Sequence, residues 1–141
     1  MPLQIVIDTN VFISALRTRR GTAFKLLSLA GSGRFEINVS VPLVLEYEYA
    51  AKSQGEHTAL SHEEIDDIID YLCSVGNRHE IFFLWRPFLK DPQDDLVLEL
   101  AVESEATIIV TYNSRDFAGA DQFGVRVLTP QAFLKEIGAL P

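Results

Sequence analysis

The sequence contains very little cysteine: Cys73 is the one cysteine among 141 residues, which excludes an internal disulfide bond and a cysteine-based zinc site. It also lacks any run approaching the ~18 consecutive apolar residues of a membrane span. The N-terminus has neither the basic start nor the long apolar segment of a secretory signal. These absences predict a bacterial-type cytoplasmic protein with no membrane partner.

Basic residues are also scarce, with 12 Lys and Arg against 20 Asp and Glu, for a net charge of −8. This balance argues against a broad, nonspecific grip on nucleic acid, which requires many cations against phosphates. The charge is uneven, however. Residues 1–55 carry six basic and four acidic side chains, whereas residues 56–141 carry six basic and 16 acidic ones. A basic flank beside an acidic site is therefore expected.

The chain as a whole is 48% hydrophobic and 23% charged, which is typical of one globular domain spanning residues 1–141. Apolar strand patterns alternate with helical ones along the chain, which predicts a three-layer α/β/α fold with a mainly parallel central sheet. Strands are expected at Ile5–Ile7, Phe35–Val39, Glu80–Leu84, Thr107–Thr111 and Val125–Leu128.

The first strand ends abruptly at Asp8, followed by Thr9 and Asn10. A short β-branched run near the N-terminus is typical of a central parallel strand that is buried on both faces. Open α/β sheets bind their ligands at the carboxyl ends of such strands. Asp8 is therefore the first candidate for a functional site.

Further acids have equivalent positions. Asp94 and Asp95 open a helix predicted at Leu96–Glu103, and either one is also expected to cap it. Asp116 lies beyond the strand Thr107–Thr111, and Glu46 lies early in the helix after the second strand. Massed carboxylates repel one another unless a cation balances them, and Mg²⁺ or Mn²⁺ prefers oxygen ligands.

Such a site suits hydrolysis of a phosphodiester, because a bound metal supplies an activated water and stabilises the leaving oxygen. Neutral residues beside the acids are expected to orient them from a second layer: Thr9, Asn10, Thr111 and Asn113. Three basic residues shortly after Asp8 either contact the phosphates of a nucleic acid or form a solvated loop: Arg17, Arg19 and Arg20.

Three other chemistries fit less well. A phosphotransfer receiver would have an acidic pair at the end of its first strand, and an aspartyl phosphatase would have Asp where this chain has Asn10. A nucleoside triphosphatase would need a glycine-rich phosphate loop, which this sequence does not contain.

Five segments, which span nearly the whole chain in order, resemble the PIN-domain family and, within it, the VapC-like toxins of bacterial toxin–antitoxin pairs. The matching segments are Ile7–Val11, Val41–Glu48, Asp91–Asp95 with its helix, Ile109–Phe117 and Val127–Leu134. The resemblance implies a metal-dependent endoribonuclease that leaves a 5′-phosphate and a 3′-hydroxyl. It also implies a homodimer that is held inactive by a small antitoxin.

The resemblance also implies which residues form the acidic metal site: Asp8, Glu46, one of Asp94 and Asp95, and Asp116. Spacing from the Thr111 strand favours Asp95 as the third acid, but a related branch of the family has its acid one residue earlier, at Asp94. That branch often has Asp in place of Asn113, so the fourth ligand is expected to shift to Asp116. The alternative function is a PIN fold that has lost catalysis and acts through a protein partner.

Overall fold

The computed structural model describes residues 2–53, 59–80 and 88–141, and these form a five-stranded, fully parallel sheet. The strands are β1 (Leu3–Ile7), β2 (Phe35–Ser40), β3 (Asn77–His79), β4 (Ile108–Val110) and β5 (Arg126–Leu128), and their spatial order is β3-β2-β1-β4-β5. β1 is therefore central, and its last three residues are buried, as its apolar sequence predicts.

Six α-helices and two 3₁₀ helices accompany the strands in the described part of the chain. The α-helices are α1 (Thr9–Arg17), α2 (Thr22–Ser28), α3 (Val41–Ser53), α4 (His62–Val75), α5 (Pro92–Glu103) and α6 (Pro130–Glu136); the 3₁₀ helices are Ser114–Phe117 and Ala120–Phe123. None of these helices is long and apolar enough to cross a bilayer.

The connections place helices on both faces of the sheet. The chain passes from β1 to β2 to β3 in one direction and returns across the sheet to β4, so right-handed crossovers put α1 to α4 on one face and α5 on the other. α5 contacts β1, β2 and β4, and α6 packs beside α2. The predicted three-layer α/β/α architecture is confirmed.

One predicted boundary is wrong. α5 begins at Pro92 rather than Leu96, and its N-cap is Asp91 rather than Asp94 or Asp95. Proline is favoured in the first turn of a helix, because its missing N–H leaves no bond unmade there. The strand expected at Glu80–Leu84 falls mainly outside the described residues, at positions 81–84, and the third strand that the structure describes is formed by the residues before it, Asn77–His79.

Candidate metal centre

Asp8 occupies the junction between β1, β4 and α1. Its carboxylate caps α1 by accepting from the Thr9 amide at 2.8 Å, and its other oxygen accepts from the Thr111 hydroxyl at 2.8 Å. The residue is only 7% exposed. Burial raises the pKa of Asp8, the two hydrogen bonds oppose the shift, and repulsion from Asp116 and Asp91 adds to it.

The Thr111 hydroxyl connects Asp8 with two of its predicted neutral supports. It accepts from the Asn10 side-chain amide at 3.2 Å and from the Asn113 backbone amide at 3.0 Å, while it donates to Asp8. Asn113 therefore contributes through its backbone. Thr9, Asn10 and Thr111 contact the Asp8 region in the way that an orienting role requires.

Glu46 lies half-buried on α3, near Asp8. Burial raises its pKa, the neighbouring Thr9 hydroxyl opposes the shift, and the charges of Asp8 and Asp91 add to it. Neither Thr9 Oγ1 nor Glu46 Oε2 completes a hydrogen bond of normal geometry with any described residue, although both atoms are buried. A buried carboxylate oxygen without a donor is costly unless a cation or water satisfies it.

Tyr47, the residue after Glu46, joins α3 to the end of β1. Its hydroxyl donates a short hydrogen bond to the carbonyl of Ile7, the residue before Asp8. Its ring stacks on Phe12 of α1, with the ring centroids 4.7 Å apart. The position of Glu46 relative to Asp8 thus depends on this buried contact.

Asp94 and Asp95 point into different surroundings. Burial raises the pKa of Asp94 to about 7, together with repulsion from four carboxylates: Asp8, Asp116, Asp91 and Glu46. Asp95 instead accepts hydrogen bonds from the backbone amides of Leu89 at 2.9 Å and Phe88 at 3.3 Å. The structure therefore groups Asp94 with the other acids, whereas the Asp95 carboxylate holds the segment before α5.

Asp116 lies exposed in the first turn of the 3₁₀ helix Ser114–Phe117, where its charge acts on Asp8 and Asp94. The sequence interpretation did not include Asp91, whose charge raises the pKa of Asp8, Glu46 and Asp94. Asp91 caps α5 by accepting from the Gln93 amide at 2.9 Å. An Asp directly before a helix-starting Pro is a typical N-cap, and this pattern could have revealed it.

We call these five acids, Asp8, Glu46, Asp91, Asp94 and Asp116, the acidic cluster. Among the residues described, no three His, Cys, Asp or Glu side chains converge closely enough to hold a metal ion by themselves. Mg²⁺, however, often binds through one or two carboxylates and keeps several waters. The all-oxygen donor set and the unpartnered Glu46 Oε2 fit such a hydrated cation.

The structure does not bring the three arginines to the acidic cluster. Arg17 ends the nine-residue α1, so it lies about 13 Å along the helix axis from the end that Asp8 caps. Arg19 is close enough to Glu64 to lower its pKa. Arg19 and Arg20 line a cavity of about 340 Å³ with Phe24 and Lys25. Basic and acidic residues thus occupy opposite ends of α1.

Comparisons with known proteins found a matching family model and a solved structure with a similar fold. The family model described as PIN domain matches residues 4–115, a range that contains every member of the acidic cluster except Asp116. A chain in the crystal structure of VapBC2 from Rickettsia felis, bound to a DNA fragment from their promoter, has a similar fold. The TM-score is 0.59 at 14% identity, over 90% of this chain and 98% of that one. No curated protein matches the sequence.

Proposed function

Because the chain belongs to the PIN-domain family, we propose that it is a metal-dependent endoribonuclease that hydrolyses RNA phosphodiester bonds with Mg²⁺ or Mn²⁺. The observation that carries this proposal is the grouping of the five acids: the Thr111 hydroxyl fixes Asp8 at the end of β1, and the charges of the other four acids act on Asp94. The charged groups that shift Asp8, Glu46 and Asp94 are all acidic. Such a collection of like charges is stabilised by a divalent cation.

The residues have distinct roles in this proposal. Asp8, Glu46 and Asp94 are the metal-binding acids, and Asp116 and Asp91 supply further negative charge or bind water of the metal's shell. A divalent metal, when bound, provides an activated water and balances charge on the leaving oxygen. In this proposal Asp94 takes the place of Asp95 as the third acid, because the charges of four other acids act on Asp94, whereas Asp95 Oδ1 accepts the backbone amides of Phe88 and Leu89.

The neutral side chains hold the acids in place. Thr111 donates to Asp8 and is itself held by Asn10, so the Asp8 carboxylate keeps one orientation when its charge changes. Tyr47 fixes the approach of α3, which carries Glu46. Outer groups of this kind typically alter metal affinity by about 10- to 100-fold when they are removed.

We further propose that the protein is the toxin of a toxin–antitoxin pair, acts in the cytoplasm, and has a cognate antitoxin and a second copy of itself as protein partners. The support is its similarity in fold to a chain of the Rickettsia felis VapBC2 complex. An apolar stripe on α3 is also available for a protein contact, because Val41, Leu45 and Tyr49 are 70%, 57% and 77% exposed.

The deciding experiment measures cleavage of RNA by purified protein with Mn²⁺, with EDTA, and after Asp8→Asn. Asparagine caps helices as well as aspartate does, so the fold should survive. We expect EDTA to abolish cleavage and Asp8→Asn to slow it by about 100-fold or more, since it removes a direct ligand rather than an outer one. The matched control is Asp67→Asn, an exposed aspartate on α4. Equal rates for Asp8→Asn and wild type would refute the mechanism.

The second candidate is a PIN fold without catalysis that acts through a protein partner. It is favoured by the failure of any three described acidic, imidazole or thiol side chains to converge on one point. Calorimetry with Mn²⁺ separates the two candidates. A folded protein that binds no Mn²⁺ and cleaves no RNA supports the binding module.

A further inference from the structure

Tyr112 is an exposed aromatic residue at the edge of the acidic cluster. It directly follows Thr111, whose hydroxyl donates to Asp8 at 2.8 Å, so its Cα lies about 3.8 Å from that of Thr111. The Tyr112 amide donates to the Asn10 side chain at 3.3 Å. The residue is 43% exposed although it adjoins a buried strand.

Two contacts connect Tyr112 with α1. Its backbone amide donates to the Asn10 side chain, and its hydroxyl lies 3.5 Å from the Ser14 hydroxyl. Asn10 and Ser14 are four residues apart and therefore lie on one face of α1. The side chain thus runs along the first turn of α1, starting at the acidic cluster, with much of its surface facing solvent.

Other exposed aromatic residues have other surroundings. Phe88 and Phe123 pack edge to face, with their centroids 5.2 Å apart. The Tyr71 hydroxyl donates to the Ala30 carbonyl at 2.9 Å. Tyr49 is 77% exposed and follows the buried Tyr47 by two positions, which places it on the outer side of α3. Tyr112 alone among these five adjoins a residue that is hydrogen-bonded to Asp8.

An aromatic ring that is oriented beside a phosphodiester-cleaving site offers a surface for a nucleobase. Bases that are unpaired can unstack and lie on aromatic side chains, whereas bases in an RNA duplex cannot. Stacking of this kind tolerates every base, because every base has a π-face. It would also keep the adjacent phosphate close to the acids without a basic side chain in the cluster.

We propose that Tyr112 stacks on a nucleobase next to the scissile phosphate and thereby positions that phosphate at the acidic cluster. The inference rests on the proposed endoribonuclease function. It assigns to Tyr112 a role in substrate positioning.

The test combines a change in the protein with a change in the RNA. The cleavage site of the wild type is first mapped on a single-stranded oligoribonucleotide with Mn²⁺. Abasic positions are then introduced one at a time within three nucleotides of the cut. kcat/KM is measured for the wild type, Tyr112→Ala, Tyr112→Phe and the control Tyr71→Ala, which removes a similarly exposed tyrosine on α4, and thermal melting verifies that each variant is folded.

We expect Tyr112→Ala to lower kcat/KM on intact RNA by about 5- to 150-fold, the range that corresponds to one stacked base. Tyr112→Phe, which keeps the ring, and Tyr71→Ala should stay close to wild type. One abasic position should slow the wild type by a similar factor and have no effect on Tyr112→Ala. If stacking is responsible, the abasic position therefore slows the wild type but not Tyr112→Ala. A purely structural defect in Tyr112→Ala would instead slow cleavage of intact and abasic RNA by the same factor, and the abasic position would still slow the variant.

Two results would overturn the inference, and they differ in what else they imply. If the wild type cleaves RNA and the effects of Tyr112→Ala and of every abasic position are independent, stacking is refuted and the endoribonuclease proposal stands. If the wild type cleaves no RNA with Mn²⁺, both proposals fail together.

Discussion

At the scale of single residues, the environment of a carboxylate decides its chemistry more than its identity does. Asp94 and Asp95 are adjacent in α5, yet one faces four other carboxylates and the other accepts two backbone amides. Consecutive helical residues diverge by about 100° around the axis, so they can serve different surroundings. Asp94 is therefore suited to hold a cation, and Asp95 to hold the backbone before α5.

The raised pKa of Asp94 predicts how the free energy of unfolding depends on pH when EDTA keeps the protein free of metal. The pKa of Asp94 rises from 3.8 to about 7 on folding, so the folded protein binds more protons between these values. Its contribution to the free energy of unfolding is complete below about pH 4 and is lost as the pH rises through about 7. In Asp94→Asn the free energy of unfolding should decline less with pH, and the variant should be more stable than wild type at pH 8. Urea unfolding of both proteins between pH 4.5 and 8 measures this free energy.

Asp95→Ala is the contrasting variant. It leaves the amides of Phe88 and Leu89 without their acceptor, which should cost about 1–3 kcal/mol. The decline of stability with pH should keep its wild-type shape. A decline that disappears in Asp95→Ala and persists in Asp94→Asn would reverse the roles given to the two residues.

The end of β1 before Asp8 and the start of a helix directly after it were predictable, because the buried apolar run of Ile5–Ile7 stops at a polar residue. The choice between Asp94 and Asp95 was not accessible in this way. The start of a helix sets the direction of each side chain in it, and the start of α5 was placed four residues too late.

At the scale of elements, the contact between α3 and β1 replaces a missing part of the sheet. β1 pairs with β2 from Leu3 to Ile5, and the pairing does not extend to Ile7. The Tyr47 hydroxyl donates to the Ile7 carbonyl at this point. One hydrogen bond therefore joins Tyr47, the residue after Glu46, to Ile7, the residue before Asp8.

Tyr47→Phe tests this connection. The variant keeps the ring on Phe12 but leaves the Ile7 carbonyl without this donor, so we expect a loss of about 1–3 kcal/mol in stability. Because Glu46 would be held less firmly, Mn²⁺ affinity measured by calorimetry should fall by about 10-fold or more.

Tyr71→Phe provides the matched control for this prediction. It also removes a hydroxyl that donates to a backbone carbonyl, that of Ala30, but it does so on α4, a helix that contains no member of the acidic cluster. It should destabilise the protein and leave Mn²⁺ affinity unchanged. Equal losses of affinity in both variants would mean that general destabilisation, rather than the position of Glu46, is responsible.

Most elements were predictable because their apolar periodicity and end residues agree. The Ser61 capping box begins α4, and Thr129 with Pro130 begins α6, as their sequences indicate. β3 was not predictable from its own residues, Asn77, Arg78 and His79, because none is apolar. It forms at the edge of the sheet, where His79 bonds to the buried Asn38 of β2 at 2.8 Å, and this tertiary contact overrides local propensity.

At the scale of the whole molecule, charge is separated along α1. The acidic cluster lies at the end of α1 that Asp8 caps, and Arg17 lies at the other end, about 13 Å away. Arg19 and Arg20 follow in the exposed loop beyond it. For the proposed RNA substrate, such a distance fits phosphates several nucleotides from the cut rather than the scissile one.

We therefore expect simultaneous replacement of Arg17, Arg19 and Arg20 by Ala to weaken RNA binding without moving the cleavage site. Each lost phosphate contact on a single strand reduces the slope of log K against log salt by about 0.7, so three contacts should reduce it by about 2. Binding to the Asp8→Asn protein across a salt series measures the slope. Arg126→Ala, which removes a cation paired with Glu136 at 2.6 Å, should leave it unchanged. An unaltered slope in the triple variant would contradict the prediction.

The parallel sheet has a consequence for how the protein is made. Thr111 and Asp8, which share a hydrogen bond, are separated by 103 positions, and among the described elements β4 follows β1 only after β2, β3 and five α-helices. The ribosome adds about 5–20 residues per second, and a domain generally folds as a unit. Until β4 emerges, Asp8 has neither its backbone partner Val110 nor its side-chain partner Thr111. An RNA-cleaving activity built on this cluster would therefore be absent from the growing chain, and the ribosome would be spared an active nuclease at its own exit until translation is almost complete.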